Sequence, residues 1–189
     1  MSLEYLREQI NKYIPYNEQE EMDKSLMLDF IDKNSDCLTR ENRVAHFTVA
    51  NWIVNKERTK VLMIYHNIYD SWAWTGGHAD GDENLLHVAL KEAEEESNIK
   101  NLKPLTEGIF SLESLTVNGH VKRGKYVSSH LHFNCSFLFE ADENEELKIK
   151  ADENSAVKWL DIDKINDLVN EEHMKPIYNK LNKKLFELK

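Results

Sequence analysis

Apolar residues recur at helical spacing twice near the N-terminus, at Leu3, Leu6, Ile10 and Tyr13 and, after Pro15, at Met22, Leu26 and Phe30. This predicts two amphipathic helices over residues 1–42, each with a face to bury. From His46 the period changes to two. "HFTVANWIV" and "VLMIYHNI" are alternating and β-branched, and the polar "NKERTK" between them predicts a β-hairpin. A helix is predicted over residues 85–97 with Asn84 as its N-cap. Strands follow at about residues 103–116 and 127–140, separated by the basic turn "NGHVKRGKY". A short strand, "AVKWL", comes after an acidic loop at residues 141–155. Asp161 is placed to cap the first of two closing helices, about residues 162–170 and 173–187. The alternation of strand, helix and strand predicts an α/β sandwich with a mixed sheet, divided as an N-terminal helical extension, residues 1–42, and a main domain, residues 43–189.

Composition narrows the functional classes. A chain of 189 residues with 41% hydrophobic content fits one globular domain plus an extension. No apolar run approaches the roughly 20 residues of a bilayer span, and "MSLEYLREQINKY" lacks the basic and apolar regions of a signal peptide, so a soluble cytoplasmic protein is expected. A net charge of -10 argues against a nonspecific nucleic-acid or anionic-membrane surface. A phosphate-bearing substrate would need a cation to bring it in. The two cysteines, Cys37 and Cys135, form no CxxC and are expected to be reduced, with Cys135 a buried structural thiol.

The charge is concentrated in "GGHADGDENLLHVALKEAEEESNI", residues 76–99, which holds seven carboxylates. Like charges at helical neighbour spacing cost roughly 0.2–0.5 kcal/mol per pair. At about 100° per residue, Leu86, Ala89, Leu90 and Ala93 form the expected apolar stripe, with Glu92, Glu95 and Glu96 in the adjacent arc. Glu94 and His87 point to solvent. Either all these acids are solvated, or a cation neutralises them. Three carboxylates at one helix edge are hard oxygen ligands of the kind Mg²⁺ takes.

Gly77 is followed by five residues and Glu83, then by seven residues and "KEAEEESNI". This resembles the Nudix box of the Nudix hydrolases, G-x5-E-x7-R-E-U-x-E-E-x-G-U with U a bulky aliphatic. Gly77, Glu83, Glu92, Glu95, Glu96 and Ile99 match; Lys91, Ala93 and Asn98 depart from the pattern, and in the preceding "WAWTGG" Thr75 stands where many members have proline. Lys91 lacks the bidentate fork of arginine but can pair with Glu95 at i,i+4. Asn98 is the next best residue after glycine for a left-handed cap.

The resemblance, which covers about residues 43–170, implies an α/β/α sandwich and a metal-dependent hydrolase of the diphosphate linkage in a nucleoside diphosphate derivative, normally with Mg²⁺ or Mn²⁺. By that likeness Glu92, Glu95 and Glu96 hold the metal with the carbonyl of Gly76, Glu83 orients the helix from behind the ligands, and Gly77 and Lys91 support it. The proton acceptor varies in the family. Glu153, six residues before Trp159 in the acidic loop, is the candidate here, ahead of Glu113, Glu140 and Glu143.

In "SSHLHFNCSF" alternation places His130, His132, Asn134 and Ser136 on one face and Leu131, Phe133, Cys135 and Phe137 in the core. The two histidines are candidates for phosphate or sugar contacts. Zinc binding by His120, His130 and His132 has no fixed ligand spacing behind it. Arg123 and Lys125 in the basic turn could meet phosphates. Trp72 and Trp74 share a strand face, and Trp74 is the candidate to stack a base. A second reading is a non-catalytic Nudix-fold nucleotide sensor; loss of box glutamates would favour it, and none is lost. A third, an isopentenyl diphosphate isomerase, needs a cysteine setting that neither "SDCLT" nor "FNCSF" provides. The substrate stays open between a nucleotide sugar such as ADP-ribose and a nucleoside triphosphate, and the N-terminal helices are compatible with a homodimer.

Overall fold

Both N-terminal helices form, as α1 (Glu4–Lys12) and α2 (Glu18–Lys33), in a computed structural model that describes residues 3–122 and 124–188. The break between them is local chemistry. Tyr13 turns extended two residues before Pro15, and the Asn17 side chain accepts the Glu20 amide at 3.0 Å to start α2. The stripe on α2 is not the expected one. Met27 and Ile31 are buried together with Glu20, whereas Met22 and Leu26 are exposed. Glu20 is drawn inward by polar partners described below, and that sets the rotation of the helix.

Ten strands follow among the described residues: β1 (Ala45–Val54), β2 (Lys60–His66), β3 (Ser71–Ala73), β4 (Thr75–His78), β5 (Lys103–Pro104), β6 (Ser111–Val117), β7 (His120–Lys122), β8 (Lys125–Val127), β9 (His130–Glu140) and β10 (Asn154–Asp161). With α3 (Leu85–Ser97), α4 (Ile165–Leu168) and α5 (Lys175–Glu187) they give the α/β fold with a mixed sheet that the alternation predicts. Three boundaries differ from expectation. The strand expected over residues 103–116 is two strands, because Gly108 takes φ +82° in the turn between them. The basic turn carries its own small hairpin, β7 and β8. The first closing helix shrinks to a 3₁₀ turn (Ile162–Lys164) and α4; Asp161 makes no side-chain cap and pairs with Lys164 at 2.7 Å instead.

The chain divides into two compact units that alternate along the sequence. One comprises residues 1–50, 77–89 and 108–137, and the other residues 51–76, 90–107 and 138–189. In the first, β6 pairs antiparallel with β9 from Ser111↔Ser136 to Val117↔His130, and α2 packs on β6. Leu6, Ile10, Met27, Phe47, Phe133 and Phe137 are buried there, with Phe133 between the rings of Phe30 and Phe47 at 5.0 and 5.6 Å. Cys37 and Cys135 are free and buried, as expected of structural thiols.

In the second unit β2 is the centre of the ladder, antiparallel to β10 along its length, to β3, and to the end of β1 at Val54↔Val61. Trp52 stacks on Tyr178 at 5.2 Å, and Leu62, Met63, Leu181 and Leu185 are fully buried. The register of β10 slips between Asn154 and Ala156, a bulge at the start of the strand. That bulge lies where the acidic loop ends.

Candidate active site

Helix α3 begins and ends as its sequence dictates. The Asn84 side chain accepts the His87 amide at 3.1 Å, and Asn98 takes φ +65°, the left-handed cap that asparagine supports. Its buried stripe is turned by one residue from the expected arc. Leu85, Val88, Ala89 and Ala93 are buried, while Leu86 is half-buried and Leu90 exposed. Apolar area alone does not separate these arcs, since each offers four aliphatic side chains. The consequence is chemical: at 100° per residue the occupied arc is centred between Leu85 and Ala89 and contains Glu92 and Glu96. Glu96 is therefore buried and Glu92 half-buried, while Glu95, Glu94 and His87 are exposed.

Glu96 is only 3% exposed, and its Oε2 accepts the Gly76 amide at 2.8 Å. Burial pushes its carboxyl up to about 8; the Gly76 N–H opposes that rise, Glu92 and Glu153 add to it, and Lys150 opposes it. Glu92 is raised by burial and then by Glu95. These are acids held against their ionisation. Nothing in the apolar packing of α3 requires them.

The acidic loop is strapped to the end of α3 by the helix's own terminal carbonyls. Lys148 N donates to Ser97 O at 2.9 Å and the buried Asn154 Nδ2 to Glu96 O at 3.0 Å, satisfying two of the acceptors a helix C-terminus leaves open. Asn98 Nδ2 adds a bond to Glu146 O at 2.8 Å. This brings Glu153 and Lys150 to the carboxylates. Lys150 Nζ lies 3.2 Å from Glu95 Oε2 and 3.1 Å from Glu153 Oε2. Burial alone would lower the Lys150 ammonium, but its bonds to Glu153 and Glu95 outweigh that and hold it above the usual lysine range. Lys91 stands 3.7 Å from Glu95 Oε1, the i,i+4 pair expected of it. Glu96 is thus tied to Gly76, and Glu95 and Glu153 to each other through Lys150, with Glu92 within electrostatic reach of Glu95, Glu96 and Glu153, all within one unit.

Lys150 was not among the residues picked out by sequence. The only signal was "KIK", two cations in an otherwise acidic loop. As a hard-oxygen donor set with two members desolvated and a single lysine shared by two others, the cluster fits a divalent cation of the Mg²⁺ class.

The other expected residues fall elsewhere. Glu83 is partly buried with its Oε2 unpartnered, and Gly77 is partly buried in β4. Trp72 lies in β3 edge-on to Tyr65, whereas Trp74 lies between β3 and β4 with its ring edge-on to Tyr178 at 5.3 Å. Arg123 lies outside the described residues. Lys125 is exposed in the small hairpin. Glu143 pairs with Lys60 at 2.8 Å and Glu140 with Lys103 at 3.4 Å, while Glu113 is buried in a polar network with Ser111, Asn134 and Ser136. His130 and His132 do come together, with His46 as third member; His120 instead turns its Nδ1 to Asn118 O at 2.9 Å.

Comparison with known proteins shows the family and the fold. A family model described as NUDIX domain matches residues 45–181. An RNA pyrophosphohydrolase of Pelagibacter ubique is 31% identical over 121 residues, 62% of this chain and 77% of that protein. An Ap4A hydrolase of C. elegans, solved as a binary complex, has a similar fold with TM-score 0.55 at 17% identity over 74% of this chain and 98% of that one. A NUDIX-family hydrolase of Clostridium perfringens gives TM-score 0.53 at 21% identity, covering 76% and 99%.

Proposed function

The chain belongs to the NUDIX family of hydrolases, and on that premise we propose that it cleaves the diphosphate linkage of a nucleoside diphosphate derivative with Mg²⁺ or Mn²⁺ held by Glu92, Glu95, Glu96 and the carbonyl of Gly76. The observation that carries the reading is the inward rotation of α3. Glu96 is buried and Glu92 half-buried at a cost that apolar packing does not offset, and a cation would.

When bound, the ion supplies charge neutralisation on the diphosphate oxygens. The chain's own residues supply position and proton transfer. The Gly76 amide fixes one oxygen of Glu96, so the carboxylate presents the other in a set direction. Lys91 and Lys150 hold Glu95 from two sides. Glu153, placed by the strapped loop, takes the proton from the attacking water. Glu83 orients the start of α3 with Gly77, Trp74 stacks the base, and Arg123 meets phosphate. This reading assigns catalysis to residues 43–189 and leaves residues 1–42 as a helical extension. The substrate is a nucleotide sugar such as ADP-ribose or a nucleoside triphosphate.

The test is a phosphatase-coupled phosphate-release panel over nucleotide sugars, dinucleotides and nucleoside triphosphates in Mg²⁺ or Mn²⁺, with Glu96→Gln alongside. Turnover lost in the variant supports the assignment and names the substrate class. Binding without turnover on every compound would move the chain to the sensor reading.

A further inference from the structure

Outside the carboxylate cluster, the first unit gathers imidazoles. The ring of His46 on β1 lies 5.0 Å from each of His130 and His132 on β9, and those two are 4.9 Å apart. His78 flanks them, 5.2 Å from His46 and 4.9 Å from His132. Four rings in contact cannot all be charged, so the cluster is a source of lone pairs.

Two backbone carbonyls decide where those lone pairs are. His46 Nδ1 sits 3.0 Å from Asn42 O, and His130 Nδ1 sits 2.9 Å from Ser128 O. A carbonyl oxygen only accepts, so both Nδ1 atoms carry the proton and both Nε2 atoms are acceptors when the rings are neutral. His46 Nε2 is buried with no hydrogen-bond partner, in a residue 4% exposed. His130 Nε2 faces His132 Nε2 at 3.1 Å. A proton on His132 Nε2 would account for that last contact, but it leaves the orphaned nitrogen of His46 unexplained. A cation accounts for both.

We propose that His46, His130 and His132 form a binding site for a divalent transition ion of the Zn²⁺ type, with an open fourth position. One ring nitrogen of each lies within 4.8 Å of the others. Tetrahedral ligands at about 2.0–2.1 Å from zinc stand roughly 3.3 Å apart. The His130–His132 edge is already close to that value, and the other two close by small ring rotations. Carbonyl-held Nδ1 protons are the outer contacts that orient histidine ligands in metal sites. Neutral imidazoles select the borderline ions over Mg²⁺, which prefers oxygen. His46 is buried whereas His130 and His132 are half-buried, so the ion has a side from which to enter.

The experiment is a titration of chelator-stripped, full-length protein with Zn²⁺ alone against a colorimetric zinc indicator. It is run on the parent, on the Glu92→Gln/Glu96→Gln variant, and on His130→Gln and His132→Gln, which avoid the fully buried His46. The expected result is one equivalent bound by the parent and by the double glutamate variant. Each histidine variant should weaken it by about a hundredfold or more, with an unchanged circular dichroism spectrum and Tm. Binding that vanishes with the glutamates, or that survives both histidine substitutions, overturns the proposal. Because the readout is zinc affinity, failure of the hydrolase reading leaves it standing.

Discussion

Among the described residues three carboxylates are buried, Glu20, Glu113 and Glu96, and Glu96, with the half-buried Glu92 one turn away, has surroundings opposite to those of the other two. In the first unit Glu20 and Glu113 meet neutral donors at nearly every oxygen. Tyr13 Oη and Tyr16 N donate to Glu20 Oε2, Ser111 bridges both acids, and Asn134 Nδ2 and Ser136 Oγ donate to Glu113 Oε2 at 2.9 and 3.0 Å. In the second, Glu96 has one amide and Glu92 has only distant cations to set against burial. A buried acid whose partners are all inside the fold is part of the fold. One whose partners are missing fits the proposed role of holding a cation, and the comparison offers a way to separate structural from functional carboxylates without reference to a motif.

The sharpest way to break this comparison is Glu96→Gln. The amide still accepts from Gly76 N–H but removes a charge, so turnover should fall about a thousandfold, equivalent to about 4 kcal/mol of transition-state stabilisation. In chelator the same variant should melt higher than the parent, because it no longer buries an ionisable acid. A variant that loses activity and also loses Tm in chelator would put Glu96 with the structural acids.

Glu113→Ala is the mirror experiment. It strands Ser111, Asn134 and Ser136 in a dry site, at about 1 kcal/mol or more each, so roughly 3 kcal/mol in total. For a chain of this length that is about 6–12 °C in Tm. Turnover by the folded fraction should stay within a few-fold of the parent. A large activity loss with little change in Tm would return Glu113 to the list of proton acceptors.

Much of this contrast was legible in the sequence, and the exceptions share a cause. The spacing from Gly77 to Ile99, the caps at Asn84 and Asn98 and the hairpin of β1 and β2 are all local, set by residues a few positions apart. The rotations of α2 and α3 are not. Met22, Leu26 and Leu90 are apolar at the right period, yet Glu20, held by Ser111 far along the chain, and Glu96 turn inward while those three stay exposed. Lys150 was missed for the same reason: its role depends on Asn154 and Lys148 reaching the end of α3, contacts more than 50 residues apart in sequence. His130 and His132 were legible as a pair on one strand face, but His46 was not, because it and His130 become neighbours only when β1 and β9 are folded.

The pH dependence of stability sharpens the comparison further. The Glu96 carboxyl titrates near 4.5 unfolded and at about 8 folded, so between those values the folded state holds the extra proton. Stability of chelator-treated protein must then fall as pH rises from 5 to 8, the reverse of the usual salt-bridged acid. With Lys150 and local relaxation absorbing part of the cost, the loss should be on the order of 2 kcal/mol. Urea melts of the parent and of Glu96→Gln over that range give the check: the parent should show the decline and the variant a flatter profile. A flat parent profile would mean that Glu96 finds a partner in the fold after all.

The smallest effect expected is also the one that best distinguishes placeholder from architecture. Lys150 reaches Glu95 and Glu153, both of them partly exposed, so each pair is worth less than about 1 kcal/mol. If its ammonium stands in for the cation, Lys150→Gln should lower Tm in chelator by about 1–2 °C, by leaving four acids together with Lys91 at Glu95 as the remaining counter-charge. In saturating Mg²⁺ the two proteins should melt alike. The Mg²⁺ concentration at half-maximal turnover should fall a few-fold, since the ion no longer competes with a tethered charge for Glu95 and Glu153. Should that concentration rise instead, Lys150 is orienting Glu95 for the ion, and the site of Glu92 and Glu96 is more completely built than its contacts in the fold suggest.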